Sequence, residues 1–203
     1  MPITLDGTTG ITAPGVTDTG NLSVTGTSTL TGSIGNVTAG TVTASTGVLY
    51  PIVSGTAQAS TSGTSIDFTG IPSWVKRISI VFSGVSLNAS GVMLVQLGSG
   101  SITSTGYTSG GWQSSATYAT ATNGMLVGAG QLAASVQHGV YTLALLTGNT
   151  WVGSGTIADS SGNAYHGVGG GTIALSGTLD RIRVTTATGT PTFDAGSINI
   201  QYE

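Results

Sequence analysis

The sequence predicts an all-β protein: an N-terminal intertwined β-arm or shaft, followed by a β-sandwich of jelly-roll type. Three observations predict it. Gly, Ser and Thr supply 94 of the 203 residues, and charged residues only 5%, against roughly 25% in an ordinary soluble domain. Segments of period-2 alternation recur with Gly and Pro between them, which marks half-buried strands and turns. The 12 aromatic residues all lie at Tyr50 or later, so the first 49 residues differ in kind from the rest. The apolar fraction of 38% says that something is buried. Disorder by charge repulsion is excluded by the low charge.

Residues 1–14 alternate Ile3 and Leu5 with small polar residues, with Ile11 further on, between Pro2 and Pro14. They predict a short strand that docks on another protein, with Ile3, Leu5 and Ile11 as attachment residues.

Residues 15–49 carry a weak internal repeat. Gly20-Asn21-Leu22-Ser23 returns as Gly35-Asn36-Val37-Thr38, and Thr31-Gly32 returns as Thr46-Gly47, both at an offset of 15. A short fixed period of strand plus glycine turn indicates a solenoid or fibre. The aliphatics are too sparse for one copy to close a core. Leu22, Val24, Leu30, Ile34, Val37 and Val42 are therefore the predicted assembly residues, stacked inward among several chains. A flexible Gly/Thr linker is the alternative.

From residue 50 to 203 the alternation strengthens. Ile78, Ile80 and Phe82 mark one strand, and Met93, Val95 and Leu97 a second. Tyr141, Leu143 and Leu145 mark a third, Ile182 and Val184 a fourth, and Ile198, Ile200 and Tyr202 a fifth. The one short helix expected lies around Gln131–Gln137. Two stretches, Ser99–Gly124 and Thr147–Gly171, read as long irregular loops. Loops on a rigid scaffold often carry binding, so Tyr107, Trp112, Tyr118, Trp151, Tyr165 and His166 are the candidate recognition residues. Core packing or intersubunit contact is the competing role for these aromatics.

The chemistry available is narrow. The net charge is −3, with four basic residues: Lys76, Arg77, Arg181 and Arg183. That is too few to neutralise a run of phosphates, so nucleic acid is not an expected partner. There is no cysteine, which removes disulfides and thiolate metal sites. No apolar run is long enough for a helical membrane span, and MPITLDGTTG has no secretory pattern. Synthesis in a reducing cytoplasm is expected. The six Asp and one Glu show no pairing suited to glycoside hydrolysis, and turn capping is the expected role of most. His138 and His166 lack a triad or metal constellation. Gly167–Gly171 has no phosphate-loop context and reads as a hairpin turn. No enzymatic activity, metal or cofactor is expected. Arg77, Arg181 and Arg183 are expected to pair with carboxylates such as Asp67 or Asp194, within or between subunits, and so to act in assembly.

Three segments add a resemblance. MPITLDGTTGIT at the start is similar to the opening of many tailed-bacteriophage fibre and virion proteins. SIDFTGIPSWVKRISIVFSGVSLN (65–88) with VMLVQLGSG (92–100), and LDRIRVTTATGTPTFDAGSINIQYE (179–203), resemble a β-rich domain of phage structural proteins. The resemblance implies a virion appendage, a tail or head fibre, rather than an enzyme. It implies a homotrimer anchored to other virion proteins by its N-terminus, with a distal domain that can meet host-surface glycan. A capsid decoration or adaptor protein, and a non-catalytic carbohydrate-binding module, are the alternatives.

Overall fold

The computed structural model describes residues 42–44, 47–49, 51–114, 117–133, 135–162 and 166–203. The chain separates into a unit of residues 1–42 and a unit of residues 43–203. The predicted attachment residues Ile3, Leu5 and Ile11, and the assembly residues Leu22, Val24, Leu30, Ile34 and Val37, lie outside the described residues. Val42 begins strand β1 (Val42–Ala44), which pairs with β2 (Gly47–Leu49) in a two-stranded sheet.

The remaining elements are all strands, with no helix among the described residues. They are β3 (Val53–Ser54), β4 (Gln58–Ala59), β5 (Ser65–Thr69), β6 (Arg77–Leu87), β7 (Met93–Ser99), β8 (Ser101–Ile102) and β9 (Thr108–Gln113). There follow β10 (Thr117–Ala121), β11 (Met125–Leu126), β12 (Gln137–Thr147), β13 (Thr150–Asp159), β14 (His166–Ala174), β15 (Arg181–Thr186) and β16 (Phe193–Tyr202).

They build two antiparallel sheets. The larger runs β10-β9-β14-β13-β12-β6-β16-β3, with β4 also on β16. The smaller runs β11-β7-β15-β5, with β8 on β7. Both sheets feed one hydrophobic core. Ile78, Ile80 and Phe82 of β6, Tyr141 and Leu143 of β12, and Ile198 and Ile200 of β16 come from the larger sheet. Ile66 and Phe68 of β5, Val95 and Leu97 of β7, and Ile182 and Val184 of β15 come from the smaller. Most of the period-2 positions read from the sequence are among these side chains. Leu145 and Tyr202 pack partly buried against the core, and sequence reading missed Ile66 and Phe68 of β5. β7 is buried on both faces. Leu94 there is fully covered, and Gln96 Nε2 donates to the Asn123 carbonyl at 2.7 Å.

Paired bulges bend β6 and β16. The register shifts between Phe193 and Ser197, where Gly84 and Gly196 hold φ of 67° and 91°. A Cβ on Gly196 would fall 2.3 Å from the Gly84 carbonyl oxygen, so glycine is required on both counts. His138 serves this bulge: its Nδ1 accepts from the Gly84 N–H at 3.2 Å, and its Nε2 lies 3.1 Å from Ser160 Oγ.

Three sequence expectations are corrected. Gln131–Gln137 is not helical: Gln131 exchanges both backbone hydrogen bonds with Gly91, and β12 begins at Gln137. The two supposed irregular loops hold β8, which pairs with β7 in the smaller sheet, and β9–β10 and β13–β14, which widen the larger sheet. Gly167–Gly171 is the middle of β14 and not a turn. The physical reason is the same for the last two. Several inward positions of these strands are glycine, and at Gly169 another backbone lies directly beneath. A Cβ on Gly169 would sit 2.0 Å from the Leu126 carbonyl oxygen. Ser109 Oγ locks that contact by accepting from Leu126 N–H at 2.7 Å and donating to the Gly170 carbonyl at 2.8 Å.

Candidate recognition face

With Gly111, Gly167 and Gly169 facing inward, the neighbouring Trp112 of β9 and Val168 of β14 face solvent, while Trp151 and Ile157 of β13 face the core. Tyr118 on β10 stands opposite Trp112 on β9. Trp112 pairs with Val168 on β14, Val168 with Thr156 on β13, and Thr156 with Val140 on β12. Tyr118 is 69% exposed, Trp112 and Val168 each 47%, and Val140 44%. These residues form a ridge across five strands.

The neighbouring register row has a different character. It reads Thr120, Gly110, Gly170, Ser154 and Thr142 on the same five strands. Hydroxyls and bare backbone make it a furrow beside the ridge. Beyond the furrow stand Thr108, Thr172, Val152 and Ala144. The Tyr118 ring leans into the furrow, its hydroxyl 3.1 Å from the point where a Gly110 Cβ would be. A cleft of about 260 Å³ opens here, lined by Gly110, Trp112, Tyr118, Val168 and Gly170.

The five strands that carry the ridge and furrow present no formal charge on this face; Arg77, in register with Ala144 on the neighbouring β6, is paired with Glu203. Between Arg77 and Asp180 the one Asp, Glu, Lys or Arg is Asp159. Asp159 closes a turn, its Oδ1 accepting from Ser161 N–H at 2.8 Å and Val136 N–H at 3.0 Å. Burial pushes this carboxyl up, but hydrogen bonds from the Ser161 side chain and from the Ser161 and Val136 N–H groups together outweigh burial and hold it below the ordinary aspartate value.

The candidate residues divide. Trp112, Tyr118 and His166 are exposed; Tyr165 lies outside the described residues. Trp151 and Tyr107 are corrections: both are buried, at 3% and 2% exposure. Trp151 points inward into the core from β13. Tyr107 anchors the β8–β9 connection, its hydroxyl accepting from Leu97 N–H at 2.7 Å and donating to the Thr103 carbonyl at 2.9 Å. Burial pushes its hydroxyl up to about 12, with the Leu97 hydrogen bond opposing. Sequence reading missed Val168, Val140 and the two furrow glycines. Their signal was present in the alternation of Gly with Val or Thr in Val152–Thr156 and Gly167–Gly171.

The guanidinium groups pair within the chain. Arg183 meets Asp67, its register partner across β15 and β5, with both contacts at 2.7 Å. Arg181 binds its neighbour Asp180 at 2.8 and 3.1 Å. Asp180 also accepts from Gly100 N–H at 3.1 Å, and the Arg181 hydrogen bond holds it below the ordinary aspartate value. Arg77 pairs with Glu203. Asp194 accepts from Ser86 Oγ instead of an arginine.

No group of three or more His, Cys, Asp or Glu able to hold a metal occurs among the described residues. No helix there is long and apolar enough to cross a membrane. No family model, curated protein or solved structure matches the chain.

Proposed function

We propose that the protein is a structural and adhesive component of a bacteriophage virion, a homotrimeric tail or head fibre. Residues 1–14 attach it to other virion proteins, residues 15–49 form an intertwined shaft, and the domain from residue 50 is a distal jelly-roll knob. The observation that carries the adhesive part is the exposed ridge of Tyr118, Trp112, Val168 and Val140. Tyr118, Trp112 and Val168 stand side by side on three strands, with Thr156 between them and Val140; an apolar patch of that kind left on a folded domain marks a recognition or assembly surface.

The strand order supports the knob. Along the chain β3/β4, β6, β12 and β16 fall in the larger sheet, and β5, β7, β11 and β15 in the smaller. The neighbours are β3-β16-β6-β12 and β5-β15-β7-β11. That interleaving is the two-Greek-key order of an eight-stranded jelly roll. β9–β10 and β13–β14 are then insertions that extend one sheet and carry the ridge. The fibre reading itself rests on the resemblance of the terminal segments and on the sparse arm, whose strand edges need partners. The trimer follows from fibre analogy.

A capsid decoration protein is the second reading, favoured by the same ridge, which could seat on a shell. Light scattering of the purified full chain tests the assembly: a mass three times the 19.9 kDa of one chain is expected, and a monodisperse monomer overturns it. Gold-labelled protein found over the head shell, rather than on a projecting fibre, would favour the decoration reading.

A further inference from the structure

The ridge and furrow have a chemistry that selects their occupant. We propose that the furrow floored by Gly110 and Gly170 binds a neutral oligosaccharide laid across the strands. This inference rests on reading the domain as an adhesive knob and names the ligand class of that face.

Three observations carry it. The first is the pairing of Trp112 with Tyr118 at one end of the ridge. Flat aromatic side chains with a polar tip offer an apolar surface to the C–H faces of a sugar ring and a hydrogen bond to its hydroxyls. The Tyr118 hydroxyl already hangs over Gly110, where it can reach a ring in the furrow.

The second is the furrow itself. Thr120, Ser154 and Thr142 place hydroxyls at intervals along it, and each hydroxyl can both donate and accept. That matches a ligand whose own surface is hydroxyls. The ridge row and the row beyond the furrow are four residues apart on each strand, about 13 Å between Cα positions, which leaves about one sugar ring once the wall side chains are allowed for; the outer two of five strands are about 19 Å apart. The furrow therefore has the width of one ring and the length of several. Its cleft of about 260 Å³ lies just below the roughly 300–1,000 Å³ of pockets for drug-sized ligands.

The third is the absence of charge. Asp159 is the single formally charged residue between Arg77 and Asp180, and backbone N–H groups occupy it. A charged ligand would lose hydration on this face and gain no counter-charge. A second copy of the chain fits less well. Obligate interfaces bury about 2,000 Å² or more of mainly apolar surface, whereas here every apolar row alternates with glycine and hydroxyl.

The test uses the full-length protein on an array of immobilised neutral and anionic oligosaccharides, with the Trp112→Ala, Tyr118→Ala and Trp74→Phe variants alongside. Binding to one or more neutral glycans is expected, unchanged between 0.1 and 1 M NaCl at about the level screening removes surface ion pairing. Trp112→Ala should weaken it at least tenfold with the circular dichroism spectrum retained, and Trp74→Phe should not. Binding to no glycan on the array, binding to anionic glycans alone, or full binding by Trp112→Ala would overturn the proposal. A change of mass in Trp112→Ala by light scattering would assign the face to a second copy and overturn it too. The mass of the unmodified protein reports separately on the fibre reading, so the two can fail independently.

Discussion

Trp112 and Tyr118 stand directly opposite each other across β9 and β10, both in solvent, while Trp151 two strands away is buried in the core. Both strands carry inward glycine, Gly111 on β9 and Gly153 on β13, and the difference is parity: Trp112 alternates with Gly111, whereas Trp151 shares the inward face with Gly153. Trp112 and Tyr118 should therefore be nearly silent in stability. Alanine at either is expected to change unfolding free energy by no more than about 0.5 kcal/mol. Trp151→Ala should cost about 3–5 kcal/mol. Urea denaturation of the three variants checks this, and a large loss in Trp112→Ala would mean that the ridge is structural.

Gly169→Ala tests the claim that glycine admits a neighbouring backbone. The added methyl would meet the Leu126 carbonyl oxygen at 2.0 Å, and neither backbone can yield without breaking the Ser109 hydrogen bonds on both sides. A loss of about 3 kcal/mol or more, at the upper end of overpacking, is expected. A melting temperature within a degree of the unmodified protein would show that β11 does not lie under β14.

Asp67 and Arg183 should couple modestly. Both are more than a third exposed, so solvent screens the pair despite its two-contact geometry. A double-mutant cycle is expected to give about 0.5–1 kcal/mol, declining with salt. Because the partner lies in the same chain, Arg183→Ala should leave the mass by light scattering unchanged. A change of mass would restore the intersubunit role expected from the sequence.

The pH profile of stability should fall at its acid and alkaline ends. Asp180 has its folded value lowered by Arg181. Its stabilisation is present above the unfolded value of 3.8 and is lost as pH falls below that. Tyr107 is raised from 10.0 to about 12, and Tyr141 is raised further by burial alone. A raised tyrosine contributes stability that is complete below pH 10 and lost as pH climbs through the folded value. Each should cost about 1.4 kcal/mol per pH unit above 10. Urea midpoints between pH 9 and 11.5 check this, and Tyr107→Phe should flatten part of the alkaline decline.

The legible part of the fold was the part with ordinary alternation. Ile78, Ile80 and Phe82, or Ile198 and Ile200, face a core that needs large side chains, so period 2 in hydrophobicity reports period 2 in burial. The widening strands invert the code. In β14, Gly167 and Gly169 are buried and Val168 is exposed, so the apolar residue marks solvent and the blank marks the interior. A pattern of that kind reads as loop. The same inversion divided the recognition residues. Trp112 and Trp151 sit in similar glycine-rich surroundings, and only the register across β9, β14 and β13 decides which faces out. Tyr107 was misread because its function is to close a turn by hydrogen bonds to Leu97 and Thr103, which composition does not show. The arginine partners were half legible, since Asp67 was named as a partner but Asp180 and Glu203 were not.

The claim that this chain is an assembled fibre with an adhesive knob is tested most directly by the mass of the purified full-length protein in solution. Multi-angle light scattering should return three chains of 19.9 kDa each, independent of dilution; a stable monomer would contradict it.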